Sequence, residues 1–530
     1  MDNMGNYETF SICREKMTKN NKADILIYTG LFSLALYVCL TSCLNPFGLE
    51  NIDTDTSVFL TIAQGITRGQ VPFRDFYDNK GPLLYLISAP GYALGRFTGV
   101  WITELIFMCI SVFFAYKTAL FFGNRIFAFI GTVLSFIIFR SFFYEVAGTE
   151  EYSLPFMVIS LYIFTKHYFS QKNASSLEIV ILGFCFASSV LLRINMFPLW
   201  LGFCAVIFIE MIIKHDFKGL IKYILLFCTG ILIITIPIMV YLKINNAFMD
   251  FIQQNFITGS SRGFDGFKFK HFVKSFFIIT GKNFCFTPLL AGYIWIIKDF
   301  ADKKRGYYIG YSTAFILTVV FHAVIRTNFD HYNMTLTPFL VPAFTFFIKE
   351  FFNYFCNVKY NKLCFAIFFC IMFSSPFVKE LNSLYSKFIN GDFINGGFIS
   401  FISQSSISQA RKDNIITGRI IDEQTTDGDK IIFLGFPCRI YLFTQRDTAS
   451  KYIYQMSGVD YEPNAQNEFL MDLYKNKPAI IAVENRDGYY DYLPEWYTPV
   501  YDMLENEYQM ITDENGYFLF KRIRTSNNIF

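Results

Sequence analysis

Apolar residues gather in blocks long enough to cross a bilayer, at about 25–44, 100–121, 126–144, 152–169, 177–192, 197–213, 221–242, 272–297, 306–325, 334–351 and 363–378. The pattern predicts about eleven transmembrane helices. The segment 82–98 is also apolar, but Pro90, Gly91 and Gly95 interrupt it, and it reads as a helix lying in the membrane interface. After residue 378 the pattern changes, with Asp, Glu, Asn, Gly and Pro frequent and no further spanning block. There Lys430–Gly435 and Pro478–Val483 have the form of short buried strands, and Tyr517–Lys521 reads as a third. The expected fold is a polytopic α-helical membrane protein: a tail at 1–24, a transmembrane domain at 25–378 with a first outer loop at 45–99, and a soluble α/β domain at 379–530.

Charge orients these blocks. Arg14, Lys16, Lys19 and Lys22 precede the first one, which predicts a cytoplasmic N-terminus. Alternation then puts Arg125, Lys166, Lys172, Lys214, Lys218, Lys222, Lys298, Lys303, Lys304, Arg305, Lys349, Lys359 and Lys362 on that same side. The opposite loops, 45–81, 145–151, 244–271 and 326–333, hold the acidic pairs, and eleven spans leave the C-terminal domain outside the cytoplasm. Leu40-Thr41-Ser42-Cys43 has the look of a lipoprotein cleavage box, but the long charged region before it and the spanning length of 25–44 favour a retained first helix.

Composition narrows the class. With 53% hydrophobic and 17% charged residues, 530 residues are too apolar for a soluble chain. The formal net charge of +3 is spread between apolar blocks, which leaves no continuous basic surface for nucleic acid. The 12 cysteines lie mainly inside apolar blocks, as at Cys109, Cys185, Cys204, Cys228 and Cys370, without metal-ligand spacing. The 66 Phe and 33 Tyr suit lipid-facing and core packing, with a minority available to line a groove for a lipid chain.

Candidate chemistry concentrates in the first outer loop, through Asn51-Ile52-Asp53-Thr54-Asp55-Thr56 and Arg68-Gly69-Gln70-Val71-Pro72-Phe73-Arg74-Asp75-Phe76-Tyr77-Asp78-Asn79-Lys80-Gly81-Pro82. A carboxylate at the membrane surface, partly screened from water, can accept a proton from a hydroxyl, and a neighbouring cation can neutralise a phosphate leaving group. Further charges stand at Gly148-Thr149-Glu150-Glu151-Tyr152, at Leu192-Arg193-Ile194-Asn195 and at His331-Tyr332. Other uses of the same residues stay open: a helix N-cap for Asp55, snorkelling for Lys80, a local ion-pair network for Arg74, Asp75 and Asp78, solvated loop charge for Glu150 and Glu151, and a structural role for His331.

At these residues the chain resembles the GT-C superfamily of membrane glycosyltransferases, and within it the family 39 group of protein O-mannosyltransferases and lipid A aminoarabinose transferases. The resemblance rests on an acidic residue soon after the first span, a Gly-x-x-Pro-aromatic-Arg-Asp segment, and Lys80-Gly81-Pro82-Leu83-Leu84 where relatives carry His/Lys-x-Pro-Leu. It implies that Asp55 is the catalytic acidic residue, although Thr56 replaces the second acid of the family's Asp-Glu pattern, with Asp53 a partial substitute. It implies that Lys80 contacts the donor phosphate, that Glu150 or Glu151 contributes to the site, and that Arg193, Arg74, His331 and Tyr332 are further phosphate-site candidates.

The resemblance thus implies an inverting transferase that moves a sugar from a polyprenyl-phosphate donor to a hydroxyl of an extracytoplasmic glycan, lipid or protein, without a cofactor. Asp53-Thr54-Asp55 also spells the Asp-x-Asp of metal-dependent soluble glycosyltransferases, but a lipid-phosphate donor has no nucleotide diphosphate to chelate and two carboxylates are an incomplete shell for a hard cation. Two other classes remain alternatives: a transporter or flippase, which a mid-helix acidic pair would favour, and a non-catalytic assembly protein of the cell envelope.

Overall fold

A computed structural model of the protein describes residues 21–47, 51–143, 146–170, 174–258, 269–298, 304–324, 329–356, 408–436, 438–455, 459–460, 462–484 and 495–523. The expected block at 363–378 and the expected domain boundary at 379 lie outside them.

The apolar blocks become helices, and one more, α2, forms in the first outer loop: α1 (Asn21–Cys39), α2 (Thr54–Thr67), α3 (Pro82–Ala119), α4 (Arg125–Phe142), α5 (Thr149–Phe169), α6 (Ser176–Leu192), α7 (Pro198–Ile213), α8 (Phe217–Ile244), α9 (Phe269–Gly281), α10 (Thr287–Lys298), α11 (Arg305–Val324) and α12 (Thr337–Cys356). Local signals set several starts. Asn124 and Asp216 accept from the backbone N–H of Phe127 and Gly219, Ser175 and Glu178 form a capping box, and prolines open α3 and α7. Among the described residues five helical segments are long and apolar enough to cross a membrane: Pro82–Ala119, Arg125–Phe142, Phe217–Ile244, Arg305–Val324 and Asp330–Asn353. The chain is an integral membrane protein.

Two expectations change. The block at 272–297 is not one span but α9 and α10, separated by a turn in which Asn283 adopts φ 45° and Lys282 pairs with Asp330. Asn tolerates that left-handed conformation, and a polar Lys-Asn pair that finds partners outside the helix ends it there. The interfacial segment 82–98 is the first limb of α3, which folds back at Gly95 and Arg96. A Cβ on Gly99 would stand 1.9 Å from the Gly91 carbonyl oxygen, so the two limbs touch through bare backbone.

The bundle has two distinct ends. At one, Asp24 pairs with Arg125 at 2.7 Å, Lys166 with Glu178 at 2.6 Å, and Lys304 lies 4.8 Å from the Phe169 ring centroid. This is the basic end, where the short lysine-bearing loops gather. At the other lie α2, the 68–81 loop, the start of α5 and the end of α6.

The C-terminal region forms a five-stranded sheet in the order β2-β1-β3-β5-β4, from β1 (Lys430–Leu434), β2 (Asp447–Thr448), β3 (Ile480–Glu484), β4 (Tyr508–Thr512) and β5 (Tyr517–Arg522). The three expected strands are β1, β3 and β5; two short edge strands complete it. β1 pairs with β2 and β3 in parallel, while β3–β5 and β4–β5 are antiparallel. Alternation along the strands sends Ile431, Phe433, Ile480 and Ala482 into the core shared with the membrane helices. Ile432, Leu434, Ile481 and Val483 instead pack with Phe469 and Leu473 of α14 (Pro463–Asn476) and Val500 and Leu504 of α15 (Thr498–Glu507); α13 (Gln409–Gln424) precedes β1.

Candidate functional site

The first outer loop is folded around α2, which the apolar-block pattern did not reveal. Asp53 occupies its N-cap position in extended backbone, its side chain making no capping bond, and Asp55 lies in the first turn. The helix N-terminus favours a carboxylate there. Asp55 is half-buried and, among the described residues, makes no hydrogen bond or ion pair. Thr56, standing where the family's second acid is expected, is buried, and its hydroxyl donates to the Val146 carbonyl oxygen at 2.7 Å. That bond ties α2 to the turn that starts α5.

The C-terminal domain grips this helix from behind. Arg439 donates to the Ile52 carbonyl oxygen, one residue before the N-cap. Arg68, just after α2, donates to Asp447 at 3.2 Å, Arg96 donates to the Leu442 carbonyl at 2.8 Å, and the Tyr77 N–H to the Lys451 carbonyl at 2.8 Å.

Within the 68–81 loop the charged residues separate into different tasks. Arg74 lies at the surface, bonded to Asp75 and to the Asn245 carbonyl at 3.1 Å, and Asp75 also accepts from the Val71 N–H. Asp78 is buried, its carboxylate accepting from the Tyr85 hydroxyl at 2.7 Å, the Tyr454 hydroxyl at 3.4 Å and the Asn79 N–H at 2.6 Å. Lys80 is half-buried, donates to Asn79 Oδ1 at 3.2 Å and lies 5.8 Å from the Phe59 ring centroid. Burial works against its charge, but Asp78 and Asp55 outweigh it and hold the Lys80 amine above its usual pKa.

Gly81 brings Lys80 to α6. Its N–H donates to the Leu192 carbonyl, and a Cβ at this position would lie 1.9 Å from the Leu191 carbonyl oxygen. Only glycine permits that approach, and it sets Lys80 within electrostatic range of Arg193, the C-cap residue of α6. The Arg193 guanidinium pairs with Glu150, donates to the Tyr332 hydroxyl at 2.8 Å and lies 4.3 Å from that ring's centroid. Thr149 donates to the other Glu150 oxygen at 2.7 Å. His331 packs edge-on against Tyr332 and is within electrostatic range of Glu150, Arg193, Asp55 and Lys80.

The fold therefore gathers Asp55, Lys80, Glu150, Arg193, His331 and Tyr332 from five separate stretches of chain. It does not gather Arg74, Asp53 or Glu151 with them. Asp53 faces Cys43 and Glu104. Glu151 accepts from the Ala147 N–H at 2.8 Å and neighbours Glu104, which is buried and, among the described residues, forms no ion pair. Glu104, Gln254 and Asn255 stand beside these groups without belonging to any of the charged loop motifs. The signal for Glu104 was available, as an acid inside an apolar block; Gln254 and Asn255 carried none. Among the described residues no group of three or more His, Cys, Asp or Glu side chains converges to hold a metal ion.

No curated protein sequence matches the chain. Solved structures share its fold over nearly the whole length. ArnT from Cupriavidus metallidurans bound to undecaprenyl phosphate is 13% identical with a TM-score of 0.58, over 96% of this chain and 99% of that one. The same protein in its apo state gives 13% and 0.55, over 95% and 98%. The Archaeoglobus fulgidus oligosaccharyltransferase, tethered to an acceptor peptide, gives 11% and 0.52, over 94% of this chain and 74% of that one. At such identities the likeness is one of fold. Residues 14–349 match the family described as "Putative competence-induced protein Ccs4 N-terminal domain", and the chain belongs to that family.

Proposed function

We propose that the protein is an inverting glycosyltransferase that moves a sugar from a polyprenyl-phosphate donor to a hydroxyl of an acceptor outside the cytoplasm. The observation that carries this reading is the Asp55 carboxylate, unpaired among the described residues at the start of α2, beside a Lys80 that also senses Arg193 and Tyr332. In this scheme the acceptor hydroxyl gives its proton to Asp55 and its oxygen attacks the anomeric carbon. The bond from that carbon to the phosphate oxygen breaks, and the electron pair leaves with the lipid phosphate. Lys80 meets the growing phosphate charge, with Arg193, His331 and Tyr332 alongside; Glu150 keeps Arg193 in place.

The fold shared with an ArnT structure that holds undecaprenyl phosphate supports a lipid-phosphate donor. The gathering of lysine-bearing loops at the end away from Asp55 supports an extracytoplasmic site, with a cytoplasmic N-terminus and the sheet domain outside. The test is to incubate purified protein with a panel of polyprenyl-phosphate sugars and acceptors and to follow free polyprenyl phosphate. Release that requires an acceptor and is lost in Asp55→Asn is expected. Donor that stays intact across the panel, in protein shown to bind it, overturns the reading.

A further inference from the structure

Lys80 is held from a direction that neither the sequence nor its own loop explains. After α8 the chain makes one short helix, Phe248–Ile252, and then a π-helical stretch, Gln253–Thr258. π-helical turns are uncommon and cost regular hydrogen bonding, and they recur where side chains must be placed for function. Here the turn aims two buried amides at the loop that carries Lys80. Gln254 accepts from the Asp78 N–H at 3.1 Å and donates to the Phe73 carbonyl at 2.8 Å, spanning the loop from side to side. Asn255, in the amide orientation that satisfies its neighbours, donates to the carbonyl oxygens of both Asn79 and Lys80 at 3.1 Å. Both side chains are more than nine-tenths buried.

The consequence is positional. Asp78 is fixed by Tyr85 of α3, by Tyr454 of the C-terminal domain and by Gln254, while Asn255 fixes the peptide units on either side of the Lys80 Cα. Gly81 then anchors the loop to the end of α6. A lysine on a flexible four-carbon stem loses much of its value as a phosphate ligand unless its backbone is fixed, because ordering must otherwise occur on binding. We infer that Gln254 and Asn255 are positioning residues for the lipid-phosphate site, acting through the backbone of Lys80. This rests on the glycosyl-transfer reading only in taking the ligand of Lys80 to be a lipid phosphate.

Direct binding of undecaprenyl phosphate to the purified full-length protein in detergent tests it, with the wild type, Asn255→Asp, Gln254→Glu, Lys80→Ala and the double variants carrying Lys80→Ala. Asn255→Asp keeps shape and loses both donated bonds; Gln254→Glu keeps the acceptor and loses the bond to Phe73. Each single variant should bind roughly fivefold to tenfold more weakly, the size expected when one partner of a buried hydrogen bond is removed. In the Lys80→Ala background the same changes should have no further effect on binding, which a merely structural role would not produce. Asn255→Asp and Gln254→Glu that melt near the wild-type temperature yet bind normally overturn the inference, as do losses that persist undiminished without Lys80. If a variant unfolds, the other, together with Asn255→Gln, which retains a donating amide, gives the readout. Failure of the wild type itself to bind undecaprenyl phosphate overturns the ligand assignment, a separate outcome from normal binding by the variants.

Discussion

Two carboxylate-bearing corners meet at the start of α5, which supplies Glu150 to one and Glu151 to the other, and they are built on opposite electrostatic terms. In the first, Glu150 is neutralised by Arg193, Lys80 is flanked by Asp55 and Asp78, and His331 and Tyr332 close the ring of groups. In the second, Glu151 and Glu104 are buried and, among the described residues, neither forms an ion pair. Consecutive positions on a helix point about 100° apart, so Glu150 and Glu151, adjacent in α5, are committed to different corners. The lesson is that a pair of acids in sequence is not a pair of acids in space. The corner that holds cations has the composition of a phosphate site, and the corner that lacks them does not.

Substitutions can break or sharpen that contrast. The largest effect should come from Arg193→Ala, which strands a Glu150 carboxylate whose side chain is only 5% exposed. Losing one partner of a buried pair costs about 3–5 kcal/mol, visible as a large fall in melting temperature. Recovery of most of that loss in Arg193→Ala/Glu150→Gln would show that the pair, and not the arginine's packing, is responsible.

Asp55→Asn comes next. It preserves volume and should lower turnover by about a hundredfold or more, as expected for loss of a general base, with donor binding largely kept. Arg439→Ala should cost about 1–3 kcal/mol, because the Ile52 carbonyl at the root of α2 loses its donor. Thermal melting and steady-state turnover together would register it; no change in either would mean that the sheet domain does not hold α2 in place. The smallest effect belongs to the second corner. Glu104→Gln breaks no ion pair and should alter turnover by less than about threefold without lowering the melting temperature. A loss as large as that of Asp55→Asn would move the chemistry to Glu104 and Glu151 and dissolve the contrast.

Much of this architecture was legible because it rests on local pattern. Spanning length located the long helices, and alternation with Gly and Pro boundaries located β1, β3 and β5. The break between α9 and α10 was hidden because Lys282 and Asn283 are only two polar residues in an apolar block; what makes them a turn is Asp330, 47 positions beyond Asn283. Helix α2 was masked by the charged residues around it, whose meaning depends on the sheet domain packed behind them. Asp55, Lys80, Arg193 and His331 were visible as residue types at loop boundaries. Their convergence was not, since it depends on the close approach of Gly81 to the end of α6 and on two amides nearly 180 residues downstream of the loop they hold.

The most direct test of the central claim compares wild type and Asp55→Asn under single-turnover conditions, each loaded to equal occupancy with a polyprenyl-phosphate sugar that the wild type consumes. Both should bind the donor alike, and only the wild type should release polyprenyl phosphate at an appreciable rate when acceptor is added. Equal release from both proteins would contradict that claim.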